Sequence, residues 1–135
     1  MQIIGHKLIE YKNFNLIQTV ENILNFDNLI FEYNEDFIKN AKDNGKTFSV
    51  IARNLNEAIL ANALKAKFII IEKNNISIAK EVVKLAEFYL FDSKIAIIIE
   101  NYEKDLLNAI NLKVDAVIFK LITSYSLIQK FFSAI

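Results

Sequence analysis

Lys67-Phe68-Ile69-Ile70-Ile71-Glu72 is a continuous apolar run closed by a carboxylate. Such a run is too short for a helix of ordinary length and is rich in β-branched Ile, which suits a strand. It does not alternate between apolar and polar residues. A strand that is apolar on both sides is covered on both sides, as in the parallel sheets of α/β proteins. This run is therefore read as the central strand of a parallel sheet.

Four other runs share the plan: Leu29-Ile30-Phe31-Glu32-Tyr33, Phe48-Ser49-Val50-Ile51-Ala52, Lys94-Ile95-Ala96-Ile97-Ile98-Ile99-Glu100 and Ala116-Val117-Ile118-Phe119-Lys120. The five begin near residues 28, 47, 67, 94 and 115, with about 19 to 27 residues from one start to the next. Each interval holds one helical pattern, which is the spacing of βα units. Asn34 caps a helix over 35–44, and Gly45 ends it in the manner of a glycine just past a helix C-terminus. Asn54 with Glu57 three residues on resembles a capping box. Asn75 or Ser77 starts the third helix and Asn101 the fourth. A last helix, from Thr123 or Ser124, carries Leu127, Ile128, Phe131, Phe132 and Ile135 on one face. Leu64-Lys65-Ala66-Lys67-Phe68 and Leu112-Lys113-Val114-Asp115-Ala116 echo one another. Both place Lys where a helix-to-strand turn often uses Gly.

Residues 1–27 break the rhythm and form an N-terminal extension. Ile3-Ile4 and Leu8-Ile9 around Gly5 imply a short strand or hairpin. Leu16, Val20, Ile23 and Leu24 recur at three- and four-residue steps and imply a helix. The chain of 135 residues is then one α/β domain with a five-stranded parallel sheet. The expected form is a flavodoxin-like or receiver-like three-layer sandwich. The alternative is half of a (βα)8 barrel, which would leave two sheet edges open and call for a dimer.

Composition narrows the function. The hydrophobic fraction is 53%, above the ordinary range, which fits a doubly covered sheet or an interface. There is no Cys, so a disulfide, a thiolate metal site and a Cys nucleophile are excluded. Sixteen basic and sixteen acidic residues cancel, which argues against a nucleic-acid partner. Apolar stretches fall short of the roughly 20 residues of a membrane span, and no secretory pattern opens the chain, so a cytoplasmic protein is expected. Gly5 and Gly45 are the only glycines, which rules out a Gly-rich dinucleotide loop and a P-loop. No Ser stands in a Gly-x-Ser-x-Gly turn. His6 is the only histidine and has no partner in the pattern.

Ligands of parallel α/β sheets bind beyond the carboxyl ends of the strands. Those ends supply Glu32, Arg53, Glu72, Glu100 and Lys120, the candidate ligand-binding residues. Glu32, Glu72 and Glu100 are candidate ligands for a divalent cation such as Mg²⁺, which prefers oxygen donors. Lys120 would neutralise an anion. This layout is similar to that of response-regulator receiver domains, with Glu32, Asp36, Glu72 and Lys120 nearest to their acids, acceptor and lysine. Glu72 stands in place of the acceptor Asp, Glu100 in place of a small hydroxyl residue, and no Pro follows Lys120. The likeness implies a receiver-like module that is not phosphorylated. The first expectation is thus a non-enzymatic binding or regulatory module, homodimeric through Leu127, Ile128, Phe131, Phe132 and Ile135. The second is an enzyme or binder of a small molecule, anion or cation at the strand ends.

Overall fold

The structure, a computed structural model, describes residues 1–120. The expected last helix, with Leu127, Ile128, Phe131, Phe132 and Ile135, lies outside the described residues. The elements run β1 (Gln2–Ile4), β2 (Asn15–Leu16), a 3₁₀ turn (Val20–Asn25), β3 (Asn28–Glu32), α1 (Glu35–Asp43), β4 (Thr47–Ile51), α2 (Leu55–Ala63) and β5 (Phe68–Ile71). A second 3₁₀ turn (Lys73–Ile78), α3 (Ala79–Phe88), β6 (Lys94–Ile99), α4 (Tyr102–Leu112) and β7 (Ala116–Phe119) follow. All neighbouring strands are parallel, in the order β1-β7-β6-β5-β4-β3-β2. β5 is the middle strand, and Phe68 to Ile71 are buried throughout.

The sheet is seven-stranded and curls into a half-barrel. Two expectations change. The three-layer sandwich requires a strand order that reverses partway, with helices on both faces. Here β2 to β7 follow one another in chain order, so every crossover steps the same way. Right-handed crossovers then put every helix on the same face. The packing agrees. Ile38 and Ala41 of α1, Ala58 and Ala61 of α2, Val82 and Val83 of α3 and Ala109 of α4 all join one cluster with Leu29, Phe31, Val50, Ile69, Ile71, Ile97 and Val117. The opposite, concave face has its own cluster, Ile4, Ile30, Ile51, Phe68, Ile70, Ala96, Ala116 and Ile118, with no helix residue in it.

The strand count changes because the extension supplies β1 and β2. The helix expected after Asn13 is replaced by the two-residue β2 and the 3₁₀ turn. Asn15 and Leu16 pair with Leu29 and Ile30, so tertiary pairing overrides the local helical period. β1 returns beside β7, as the first strand of a barrel meets the last, and among the described residues β1 and β2 do not pair with each other. No helix links β1 to β2. Instead residues 5–14 bring Phe14 onto the concave cluster, where its ring meets Phe68 at 6.0 Å. Asn28 Nδ2 donates to the Asn13 carbonyl at 2.9 Å and anchors the end of this segment.

The helix termini follow their local chemistry. Asn34, Asn54 and Asn101 accept hydrogen bonds from the first turns of α1, α2 and α4. The third helix departs from expectation: Lys73–Ile78 is 3₁₀, and α3 begins at Ala79 without a side-chain cap. The four α-helices among the described residues end alike. Gly45, Lys65, Leu90 and Lys113 take positive φ, at 65°, 71°, 53° and 62°. The next residue's N–H then reaches back to the carbonyl of Ala41, Ala61, Ala86 or Ala109, which is the Schellman closure. Only the first turn has the residue that this geometry prefers.

Lys113→Gly should therefore stabilise the fold by up to about 1 kcal/mol and raise Tm by a few degrees. Gly45→Ala should lower stability by about 1 kcal/mol, because Ala disfavours positive φ. Thermal melts that moved both variants in the same direction would contradict the shared closure.

Candidate functional site

Each of the five strands from β3 to β7 ends on the same three-residue pattern: an Ile, one residue for the helix-covered face, then a charge. The triplets are Ile30-Phe31-Glu32, Ile51-Ala52-Arg53, Ile70-Ile71-Glu72, Ile98-Ile99-Glu100 and Ile118-Phe119-Lys120. Strand side chains alternate between faces, so the charge shares the face of its Ile. Those five Ile residues belong to the concave cluster. Glu32, Arg53, Glu72, Glu100 and Lys120 accordingly stand as a charged tier above an apolar one. All five line one open cleft of about 1160 Å³, floored by Leu16, Ile30, Ile51 and Ile98.

Register decides which charges meet. Ile99 is level with Phe119, so Glu100 comes level with Lys120, and Lys120 Nζ lies 2.9 Å from Glu100 Oε1. Lys73 reaches the other oxygen of Glu100 at 3.4 Å. The Lys120 ammonium, then Lys73, holds the Glu100 carboxyl below the usual carboxylate range. Asp105 accepts from the backbone N–H groups of Asn101 and Glu100, which lowers its pKa and fixes the start of α4 beside this pair.

On the other side, Arg53 is committed to Glu57. Its guanidinium donates to both carboxylate oxygens, at 2.7 and 3.1 Å, and its backbone N–H donates at 2.9 Å. Asn54 in turn accepts from the Glu57 N–H, so the expected capping box forms with its return bond one residue early, on Arg53. These contacts outweigh desolvation and lower the Glu57 pKa. Glu32 stands farther off, 4.0 Å from the guanidinium.

Glu72 differs. It occupies the cap position of the 3₁₀ turn, yet its side chain caps nothing. Continuing the β4–β5 register sets it level with Arg53, and the β5–β6 register sets it level with Ile98. Arg53 is engaged elsewhere and Ile98 is apolar. Among the described residues, the Glu72 carboxylate has no hydrogen-bond or ion-pair partner. The three carboxylates considered for a cation stand at different levels of the sheet, Glu32 level with Ile51, Glu72 with Ile98 and Glu100 with Lys120. Among the described residues, no group of three or more side chains of the ligating types could hold a metal ion.

The sequence ends of the strands identified five rim residues. They did not identify Lys73 and Glu57 as members of the ion-pair network, nor the apolar floor. The repeated Ile-x-charge pattern is the signal that finds the floor. His6 falls outside the cleft: its Nδ1 accepts from the Leu8 N–H, and its ring meets Tyr102 edge-on at 5.4 Å. Among the described residues, no helix is long and apolar enough to cross a membrane.

Glu57, Glu100 and Asp105 have lower pKa values folded than unfolded. The stability they add is complete only above about pH 5 and is lost as pH falls through their folded values. Glu57→Gln should cost about 1 kcal/mol at neutral pH, since it removes a bidentate pair and a backbone acceptor. The gap in Tm between wild type and variant should close as pH drops below about 4. A gap constant from neutral to acid pH would exclude the pair as its source.

Compared with known proteins, the chain matches no protein-family model, and no curated protein shows significant similarity to it.

Proposed function

We propose that this chain is a small-molecule-binding module whose ligand lies in the cleft at the carboxyl ends of β3 to β7. The observation that carries the reading is the two-tier concave face. Five consecutive strands each contribute one charge above one Ile, around a cleft on the face that carries no helix among the described residues. Parallel α/β sheets and barrels place their ligand sites at this end. An apolar floor with a few convergent polar groups is the usual make-up of a small-molecule site. The rim supplies pairing groups for a ligand. It does not present a nucleophile held by a base among the described residues, so binding is a better reading than turnover.

Ile98→Trp tests this directly. The added ring would fill the floor while leaving the helix-covered core untouched. A ligand-observed NMR screen of polar, metabolite-sized compounds should yield binders to the wild type that Ile98→Trp loses, with little change in Tm. Binders that ignore this substitution, or none at all, would remove the reading.

We also infer that the module is a homodimer. Leu107 and Ile110 of α4, exposed at 65% and 56%, support this. Sedimentation at micromolar concentration should give twice the mass of the chain. A monomer there would exclude it.

A further inference from the structure

We infer that the ligand of the cleft carries a cationic group of the ammonium type on an apolar body, and that Glu72 receives the cation. This rests on the cleft being a ligand site. The charges around it are unequal in their commitments. Arg53 is held by Glu57 and faced by Glu32. Lys73 and Lys120 share Glu100. An anionic ligand would have to share its cation with one of these carboxylates. Glu72 has no partner among the described residues, so a cation gains a partner there without breaking a pair. Among the described residues lining the cleft, Glu32, Glu72 and Glu100 stand with Arg53, Lys73 and Lys120, and Glu72 is the one of these carboxylates without an ion pair.

Two structural explanations for that carboxylate fail. A capping side chain would accept from the turn that follows, and the Glu72 carboxylate accepts nothing there. A strand end facing open water would not line a cleft, whereas Glu72 is half-buried and lines this one. Its level neighbour Ile98 belongs to the floor. A cation seated on Glu72 therefore has apolar surface directly beside it, which selects an amphiphilic cation over a bare one. A metal ion would need further oxygen ligands, and none are grouped with Glu72 among the described residues.

The test compares n-hexylammonium, n-hexanol and hexanoate, which share a chain and differ in charge. Each is titrated into the ¹⁵N-labelled full chain, and the amides of residues 72–74 and 98–100 report binding. Hexylammonium should bind at least about tenfold more tightly than hexanol, and Glu72→Gln should remove that advantage. Raising salt from about 10 to about 150 mM should weaken hexylammonium and leave hexanol unchanged, a readout independent of any variant. Hexanoate binding more tightly than hexylammonium, or an ammonium advantage that survives both Glu72→Gln and salt, overturns the inference and leaves the cleft a ligand site. If none of the three reaches these amides, the inference and the site reading fall together.

Discussion

The fold depends on one handedness constraint applied repeatedly. A right-handed crossover between parallel strands places its helix on a fixed side, given the direction in which the chain steps. From β2 to β7 the step never reverses. The helices therefore gather on one face, and their small buried residues, Ala41, Ala58, Ala61, Ala79 and Ala109, let them lie close to the sheet. Among the described residues, the other face receives no helix, and the sheet curls so that Ile30, Ile51, Ile70 and Ile118 converge. Phe14, on the segment that links β1 to β2, completes that interior from within the chain. The curl also explains the short β2: two residues suffice, because its task is to end the sheet and not to extend it.

The strands and most of their caps were legible because they obey local rules. Apolar runs of four to six residues, Asn at the helix starts and Gly45 at the first helix end each follow from chemistry within a few residues. The sandwich expectation failed for a reason the runs themselves impose. A strand apolar on both faces reads alike whether the second face meets helices or the interior of a half-barrel. Strand order carries that distinction, and order is a property of long-range pairing. The N-terminal extension was misread for a related reason. Leu16, Val20 and Ile23 keep helical spacing, but Leu16 is spent on β3 and Ile23 on the helix-side core. The turns after α2, α3 and α4 hid their positive φ behind Lys65, Leu90 and Lys113, since only glycine announces such a conformation.

The rim was legible as a set of residues and illegible as a set of pairs. Naming Glu32, Arg53, Glu72, Glu100 and Lys120 needs only the ends of the strands. Knowing that Glu100 meets Lys120 needs the stagger between β6 and β7. Across the sheet the charged tier climbs: Glu32 is level with Ile51, Arg53 and Glu72 with Ile98, and Glu100 with Lys120. Three carboxylates that look equivalent in sequence thus occupy three heights. That difference dissolves the picture of a cation held by all three.

The same stagger makes Glu72 distinct without any unusual residue near it. A carboxylate at a strand end ordinarily takes its counter-charge from the neighbouring strand, about 4.8 Å away. For Glu100 that neighbour is Lys120. For Glu72 the two level neighbours are an arginine already bidentate to Glu57 and the apolar Ile98. The helix start at Asn54 is what removes the arginine, because Glu57 serves the backbone of Arg53 and its guanidinium together. A local capping preference in α2 therefore sets the charge left over in the cleft. The chemistry that the rim offers to a ligand follows from a helix cap and a two-residue shift in register.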